Sequence, residues 1–186
     1  IVRLLAVFHK KLDLFVKGRK SVFLLLKSKI APEDHVFWFH CASLGEFEQG
    51  RLVMEKIKNE FPSCKIVLTF FSPSGYEVQK NYKGADVVCY LPLDTYANAK
   101  KFVKIVNPAT AVFIKYEFWP NYLQVLKKQR VPTILVSGIF RKDHVFFQWY
   151  GTWMRKALQS FSYFFLQDEN SSELLSSIGF ENHEVV

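Results

Sequence analysis

The chain has 186 residues, 49% of them hydrophobic, enough for one substantial core. Lys and Arg outnumber Asp and Glu 25 to 17, and the excess is concentrated at the start: residues 1–30 hold Arg3, Lys10, Lys11, Lys17, Arg19, Lys20, Lys27 and Lys29 against Asp13 alone. That distribution excludes a basic nucleic-acid surface spread over a domain and fits a basic arm beside a nearly neutral globule.

Within residues 1–30, apolar clusters (Leu4, Leu5, Val7, Phe8, Leu12, Leu14, Phe15, Val16, then 22–26) alternate with the basic residues. No 18-residue uncharged run exists, so the segment does not read as a membrane-spanning helix. It reads either as a basic amphipathic helix lying on an anionic bilayer or as a helix packed on the domain with a solvated basic face. The chain begins at Ile1 rather than Met, and a preceding segment is expected.

From Val36 a regular alternation begins. Short apolar runs at 36–39, 66–71, 87–91, 110–114, 133–136 and 161–166 predict strands. Stretches with helical spacing lie between and after them, at 47–61, 75–82, 96–106, 120–130, 144–159 and 170–178. Gly, Pro, Ser and Asp punctuate the switches in FFSPSG, LPLD, FWPN and LQDENSS. The expectation is α/β: a doubly wound, Rossmann-like parallel sheet over 31–186 behind an N-terminal arm over 1–30. Cys41, Cys64 and Cys89 are odd in number, without C-x-x-C spacing, and read as buried free thiols. The aromatic content, 17% with 19 Phe, predicts apolar surface as well as core.

Ligands of such sheets gather at the carboxyl ends of the strands. There the sequence places Ser43, Gly45 and Glu46, then Ser72, Ser74 and Gly75, then Asp94, then Lys115, Tyr116 and Glu117, then Ser137 and Arg141, then Asp168. Asp94, Asp168 and Ser72 are predicted caps of the helices that follow them. SPSG is a helix entry that also offers backbone N–H groups to an anion. G-x-G-x-x-G, G-x-x-x-x-G-K-[ST], G-x-S-x-G and H-E-x-x-H are all absent. Glu46 would sit at a helix N-terminus, which favours its ionised form, and an ionised carboxylate can take the proton of an attacking alcohol. Gly45 before it would allow a sharp turn and close substrate approach. Glu117, among Tyr116, Phe118 and Trp119, is an acid in aromatic surroundings that needs a partner. On residue chemistry alone, each is also readable as a first-turn helix charge.

Taken together and in order, HCASLGE (40–46), TFFSPSG (69–75), YLPLD (90–94), EFWPN (117–121) and LQDENSSELLSSIG (166–179) resemble the motifs of one family. It is the 3-deoxy-D-manno-oct-2-ulosonic acid (Kdo) transferases of lipopolysaccharide biosynthesis. The resemblance implies the N-terminal, acceptor-binding half of a two-domain GT-B glycosyltransferase. The donor CMP-Kdo would bind mainly to a C-terminal domain that this chain does not contain, so the chain alone would be inactive. Kdo would pass to the lipid A precursor with inversion and with no metal or cofactor. Glu46 would be the general base and Glu117 a transition-state stabiliser. Ser43, Gly45, Ser74, Gly75, Lys115, Tyr116 and Arg141 would bind substrate. The place of work would be the cytoplasmic face of the bacterial inner membrane, held through the N-terminal arm. In one respect the chain departs from the pattern. In SGIFRKD, Ser137 and Ile139 stand where many members carry Asn and Arg, and Arg141 lies two positions on. Two other readings compete: a membrane-surface binding module with a Rossmann-like fold and no chemistry, and a transferase of the same architecture using another sugar donor.

Overall fold

A computed structural model describes residues 14–186. Residues 1–13, the first part of the expected arm, lie outside the described residues. Seven strands form one parallel sheet in the order β3-β2-β1-β4-β5-β6-β7. They are β1 (Val36–Cys41), β2 (Lys65–Phe70), β3 (Val87–Tyr90), β4 (Pro108–Ile114), β5 (Thr133–Gly138), β6 (Tyr163–Leu166) and β7 (His183–Val185). Residues 14–20 are helical, and the helices that follow are α1 (Val22–Lys29), α2 (Leu44–Glu60), α3 (Pro73–Gln79), α4 (Tyr96–Val106), α5 (Pro120–Lys128), α6 (Thr152–Leu158) and α7 (Glu169–Ser176). The doubly wound parallel sheet expected from the alternation is therefore present.

The chain winds outward from β1 to β3, then crosses back to lay β4 on the other side of β1. That reversal leaves a crevice above the carboxyl ends of β1 and β4, where neighbouring loops turn away from each other. The period-2 alternation of β1 feeds two cores. Val36 and Trp38 enter the larger one with Phe102, Phe113 and Tyr122, while Phe39 and Cys41 enter the other with Phe47, Met54 and Phe70. Burying each such side chain contributes roughly 1.5–3 kcal/mol. All three cysteines are free and buried, as expected.

The described part of the basic N-terminal segment lies against the sheet. Val22 and Leu26 are buried in the larger core, while Val16 and Leu24 face outward. Arg19 ties this segment down: its guanidinium donates to the carbonyls of Phe15 (2.8 Å), Phe71 (2.8 Å) and Leu91 (2.9 Å). It also lies over the Phe15 ring at 3.6 Å. Burial pushes it down to about 10, opposed by Tyr90 and Tyr122, so it stays charged at neutral pH.

Three local expectations need correction. The predicted helix over 144–159 is broken into a 3₁₀ turn (Val145–Phe147) and α6. A Cβ on Gly151 would stand 1.7 Å from the Val145 carbonyl oxygen, so the chain crosses itself there, and Arg155 pins the crossing by donating to Phe146 O and Gln148 O. Strand β7 was not expected, because its residues His183, Glu184 and Val185 are short, mostly exposed and carry no apolar run. Finally, Ser72 and Asp168 cap their own helices, but Asp94 does not. Thr95 caps α4, while the Asp94 carboxylate accepts from the backbone N–H groups of Asn121 (3.3 Å) and Tyr122 (3.2 Å), at the start of α5.

Candidate active site

Glu46 and Glu117 come from opposite sides of the β1–β4 crevice. Glu46 is the third residue of α2 and folds back, its Oε2 accepting from the Ala42 N–H at 2.5 Å. Ser43 is the N-cap of α2, so the carboxylate reaches past it to the N–H of the preceding residue, and the helix-end reading of Glu46 is physically satisfied. The side chain is nonetheless half-buried, and its carboxyl is pushed up from the ordinary value, mainly by burial and then by the charge of Glu117. The Ala42 N–H, His40 and the Ser43 N–H oppose that push. A carboxylate with raised proton affinity that retains N–H donors is a better proton acceptor than a solvated one.

Glu117 follows β4 and is 12% exposed. Its Oε2 accepts from Trp119 Nε1 at 2.7 Å and faces His40 Nε2 at 3.2 Å. His40 is fully buried near the end of β1, and its Nδ1 lies 2.9 Å from Thr69 Oγ1 on the adjacent β2. Thr69 also receives Trp38 Nε1–H at 2.8 Å. The partner that an acid among aromatics required is thus a buried chain running Trp38–Thr69–His40–Glu117–Trp119. The sequence reading named Trp119 only as an aromatic flanking Glu117, carried His40 and Thr69 only inside the quoted motifs, and passed over Trp38. A histidine and a threonine inside strands β1 and β2 were the available signals.

The remaining predicted residues fall in two groups. Ser43, Gly45, Ser74 and Gly75 lie on the β1–β2 side. A Cβ on Gly75 would meet the Phe70 ring at 2.5 Å and the Ser43 backbone at 3.1 Å, so close packing requires this glycine and joins SPSG to SLGE. Gly45 is exposed, has no left-handed φ, and a Cβ there would meet nothing within 4 Å. The expected sharp turn is therefore not what needs a glycine; open space over the helix end is what its small size leaves. Ser74 is exposed, with its hydroxyl 2.7 Å from that of Ser72.

Lys115, Tyr116 and Arg141 lie on the β4–β5 side. Lys115 has φ 62° and donates its N–H to Val136 O at 2.9 Å. Tyr116 and Arg141 line a cleft of about 390 Å³ with Phe118, His144 and Phe146. Burial pushes the His144 imidazole down, with Asp143 opposing and Arg141 assisting. A larger groove, about 670 Å³, runs between α5 and α6 past Lys127, Lys128, Trp153 and Lys156, and contains none of the predicted site residues. Among the described residues no three His, Cys, Asp or Glu side chains are gathered as metal ligands.

Comparison with known proteins places the chain. It is 28% identical over 182 residues to the 3-deoxy-D-manno-octulosonic acid transferase of Chlamydia pneumoniae, covering 94% of this chain and 41% of that protein. It is 31% identical over 135 residues to the transferase of Chlamydia muridarum, covering 71% of this chain and 30% of that one. For the Aquifex aeolicus transferase the figures are 35% over 102 residues, with 54% and 27% covered. The chain thus spans less than half the length of these curated relatives. Among solved structures it superimposes on the UDP-GlcNAc 2-epimerase of Neisseria meningitidis bound to UDP-GlcNAc (TM-score 0.60, 12% identity, 81% of this chain and 46% of that one). It also superimposes on MurG of Acinetobacter baumannii (TM-score 0.54, 7% identity, 82% and 44%). These likenesses show the fold, the Rossmann-like sheet of GT-B type enzymes. The family described as 3-Deoxy-D-manno-octulosonic-acid transferase (kdotransferase) matches residues 17–186, and the chain belongs to that family.

Proposed function

We propose that this chain forms the acceptor half of a glycosyltransferase that moves Kdo from CMP-Kdo to a hydroxyl of the lipid A precursor, with inversion at the anomeric carbon. The observation that carries the reading is the pairing of Glu46 and Glu117 at the β1–β4 switch point, in a chain of this family. Glu46 takes the proton of the attacking hydroxyl. Its partial burial and the neighbouring carboxylate make it a stronger base than a solvated glutamate, and the Ala42 N–H holds it in place. Glu117 lies on the opposite wall, held by Trp119 and His40, where a carboxylate stabilises the positive charge that develops on the sugar as the nucleotide leaves.

The acceptor carries phosphates and acyl chains, so its receiving surface must be both cationic and apolar. The cleft of Arg141, Tyr116, Phe118 and Phe146 supplies that combination beside Glu117. Ser43, Gly45 and Ser74 form the facing edge, with open space above Gly45 for the sugar to approach. Association with an anionic membrane surface belongs to the same proposal. Trp149, at 88% exposed, stands with exposed Tyr150 and Trp153 near the lysines of the α5–α6 groove, a combination suited to a lipid interface. Among the described residues no helix is long and apolar enough to cross a membrane.

The test uses the whole enzyme that contains this chain, incubated with lipid A precursor and a panel of nucleotide sugars. Transfer from CMP-Kdo alone, giving a product of inverted anomeric configuration, is the expected result. Preference for another donor, or a retained configuration, would contradict the reading.

A further inference from the structure

The N-terminal segment and the site are joined through one side chain. Arg19 sends three guanidinium donors into three separate pieces of chain. Nη1 donates to Phe15 O in its own segment, Nη2 to Phe71 O just after β2, and Nε to Leu91 O just after β3. A planar fork with donors in fixed directions suits three such carbonyls, whereas a lysine offers a single point charge. The seat is close-fitting: a Cβ on Gly18 would run into the Tyr90 ring, and the Arg19 guanidinium lies 4.9 Å from the centre of that ring.

From Phe71 the contacts continue to the crevice. Its carbonyl is held by Arg19, and its ring meets Phe15 edge-on at 5.3 Å. The same ring packs on Trp119 with centroids 4.7 Å apart. Trp119 donates Nε1–H to Glu117 Oε2. An indole N–H can only donate, so the orientation of the Trp119 ring selects where a carboxylate oxygen is held. Arg19, Phe71, Trp119 and Glu117 are thus linked pairwise by contact, although 98 positions separate Arg19 from Glu117.

We propose that Arg19 is a positioning residue. By holding Phe71 against Trp119 it fixes the Glu117 carboxylate at the crevice, and it makes the seating of the N-terminal segment a condition for full activity. This rests on the reading of Glu117 as the group that stabilises the transition state. The Arg19 contacts fall on Phe15, Phe71, Tyr90 and Leu91, away from the cleft lined by Tyr116, Arg141 and Phe146. Its loss is therefore felt in the rate of transfer rather than in acceptor binding.

A double-mutant cycle on the whole enzyme tests this, with CMP-Kdo and lipid A precursor as substrates. The variants are Arg19→Gln, Trp119→Phe, which keeps a ring for Phe71 but removes the N–H, and the two combined. Arg19→Gln alone should lower kcat about tenfold and leave the acceptor KM within about twofold. In the Trp119→Phe background that loss of kcat should vanish, because Glu117 has already lost the donor, while the loss of stability persists. Equal losses of kcat in both backgrounds would make Arg19 a structural anchor only and overturn the proposal. A second readout is the ¹⁵N–¹H indole signal of Trp119, assigned by its absence in Trp119→Phe. It should move in Arg19→Gln, and an unmoved signal would overturn the proposal whatever the activity. Should Arg19→Gln fail to fold, Arg19→Lys, which keeps the charge and loses the fork, goes through the same cycle with the same outcomes. Failure of the Glu117 reading shows separately, as near wild-type turnover in Glu117→Gln with the indole signal still displaced in Arg19→Gln.

Discussion

On the β1–β2 side of the crevice, position is set by backbone. Glu46 is held by a backbone N–H, SPSG is locked to SLGE through the missing Cβ of Gly75, and Ser72 caps its own helix. On the β4–β5 side, position is set by long-range side-chain contacts and by strained backbone. Glu117 is held by His40 and Trp119; Phe118 packs on Phe140, Phe146 and Phe161; Asp94 reaches across to the start of α5; and Lys115 and Ser137 have φ of 62° and 57°. One wall is set by backbone contacts between adjacent strand ends, and the other by side chains from more distant parts. The assembled wall is the one that carries the cleft proposed to receive the acceptor.

The largest effect that separates the two walls should come from Phe118→Ala. It removes a ring packed at 4.7 Å from Phe146 and empties part of the cleft proposed for the acceptor. We expect a loss of about 2–3 kcal/mol in unfolding free energy, smaller than for a fully buried Phe, together with a raised KM for acceptor and a smaller change in kcat. A matching drop in kcat would mean that the two walls are not separable. Next in size, Asp94→Ala should cost about 1 kcal/mol by releasing the start of α5, measured by denaturant unfolding, with α4 unaffected because Thr95 caps it.

A pH effect of intermediate size marks the backbone-built wall. The Glu46 carboxyl is raised in the folded state, so the folded form holds its proton more tightly than the unfolded chain. The stability this contributes is present below the unfolded value, about 4.3, and is lost as pH rises through the folded value. The wild-type Tm minus that of Glu46→Gln should therefore fall between acid and neutral pH; a flat or rising difference would contradict the burial account. Smallest, Ser137→Gly should gain up to about 1 kcal/mol by relieving a left-handed residue at the β5 bulge, where Leu135 and Gly138 pair with Phe164 and Leu166. A loss instead would show that the Ser137 side chain is needed there.

The asymmetry also explains what could be read from the sequence. The sheet and most helices were legible because apolar periodicity and turn residues are local signals. Ser43, Gly45 and Glu46 were legible as neighbours at one strand end for the same reason, since they fall within a few residues. The β4–β5 wall was only partly legible. Glu117 announced itself as an acid among aromatics, but its partner His40 is 77 residues away, and Asp94 acts on a helix 27 residues on rather than on its own. The break at Gly151 depends on a steric crossing with Val145 that no periodicity encodes. The aromatic-rich composition supplies both core and surface: Phe102, Phe113, Phe140 and Phe164 are fully buried, while Phe61, Tyr96, Tyr116, Trp149, Tyr150 and Trp153 are exposed.

The central claim is that Glu46 accepts the proton of the attacking hydroxyl. The most direct measurement is the single-turnover rate of Kdo transfer by the whole enzyme carrying Glu46→Gln, with circular dichroism and acceptor binding measured on the same sample. The account predicts an intact fold, near-normal acceptor affinity and a rate lowered about 100-fold or more, with the acid limb of the pH profile abolished. A Glu46→Gln enzyme that turns over near the wild-type rate and keeps that limb would contradict it.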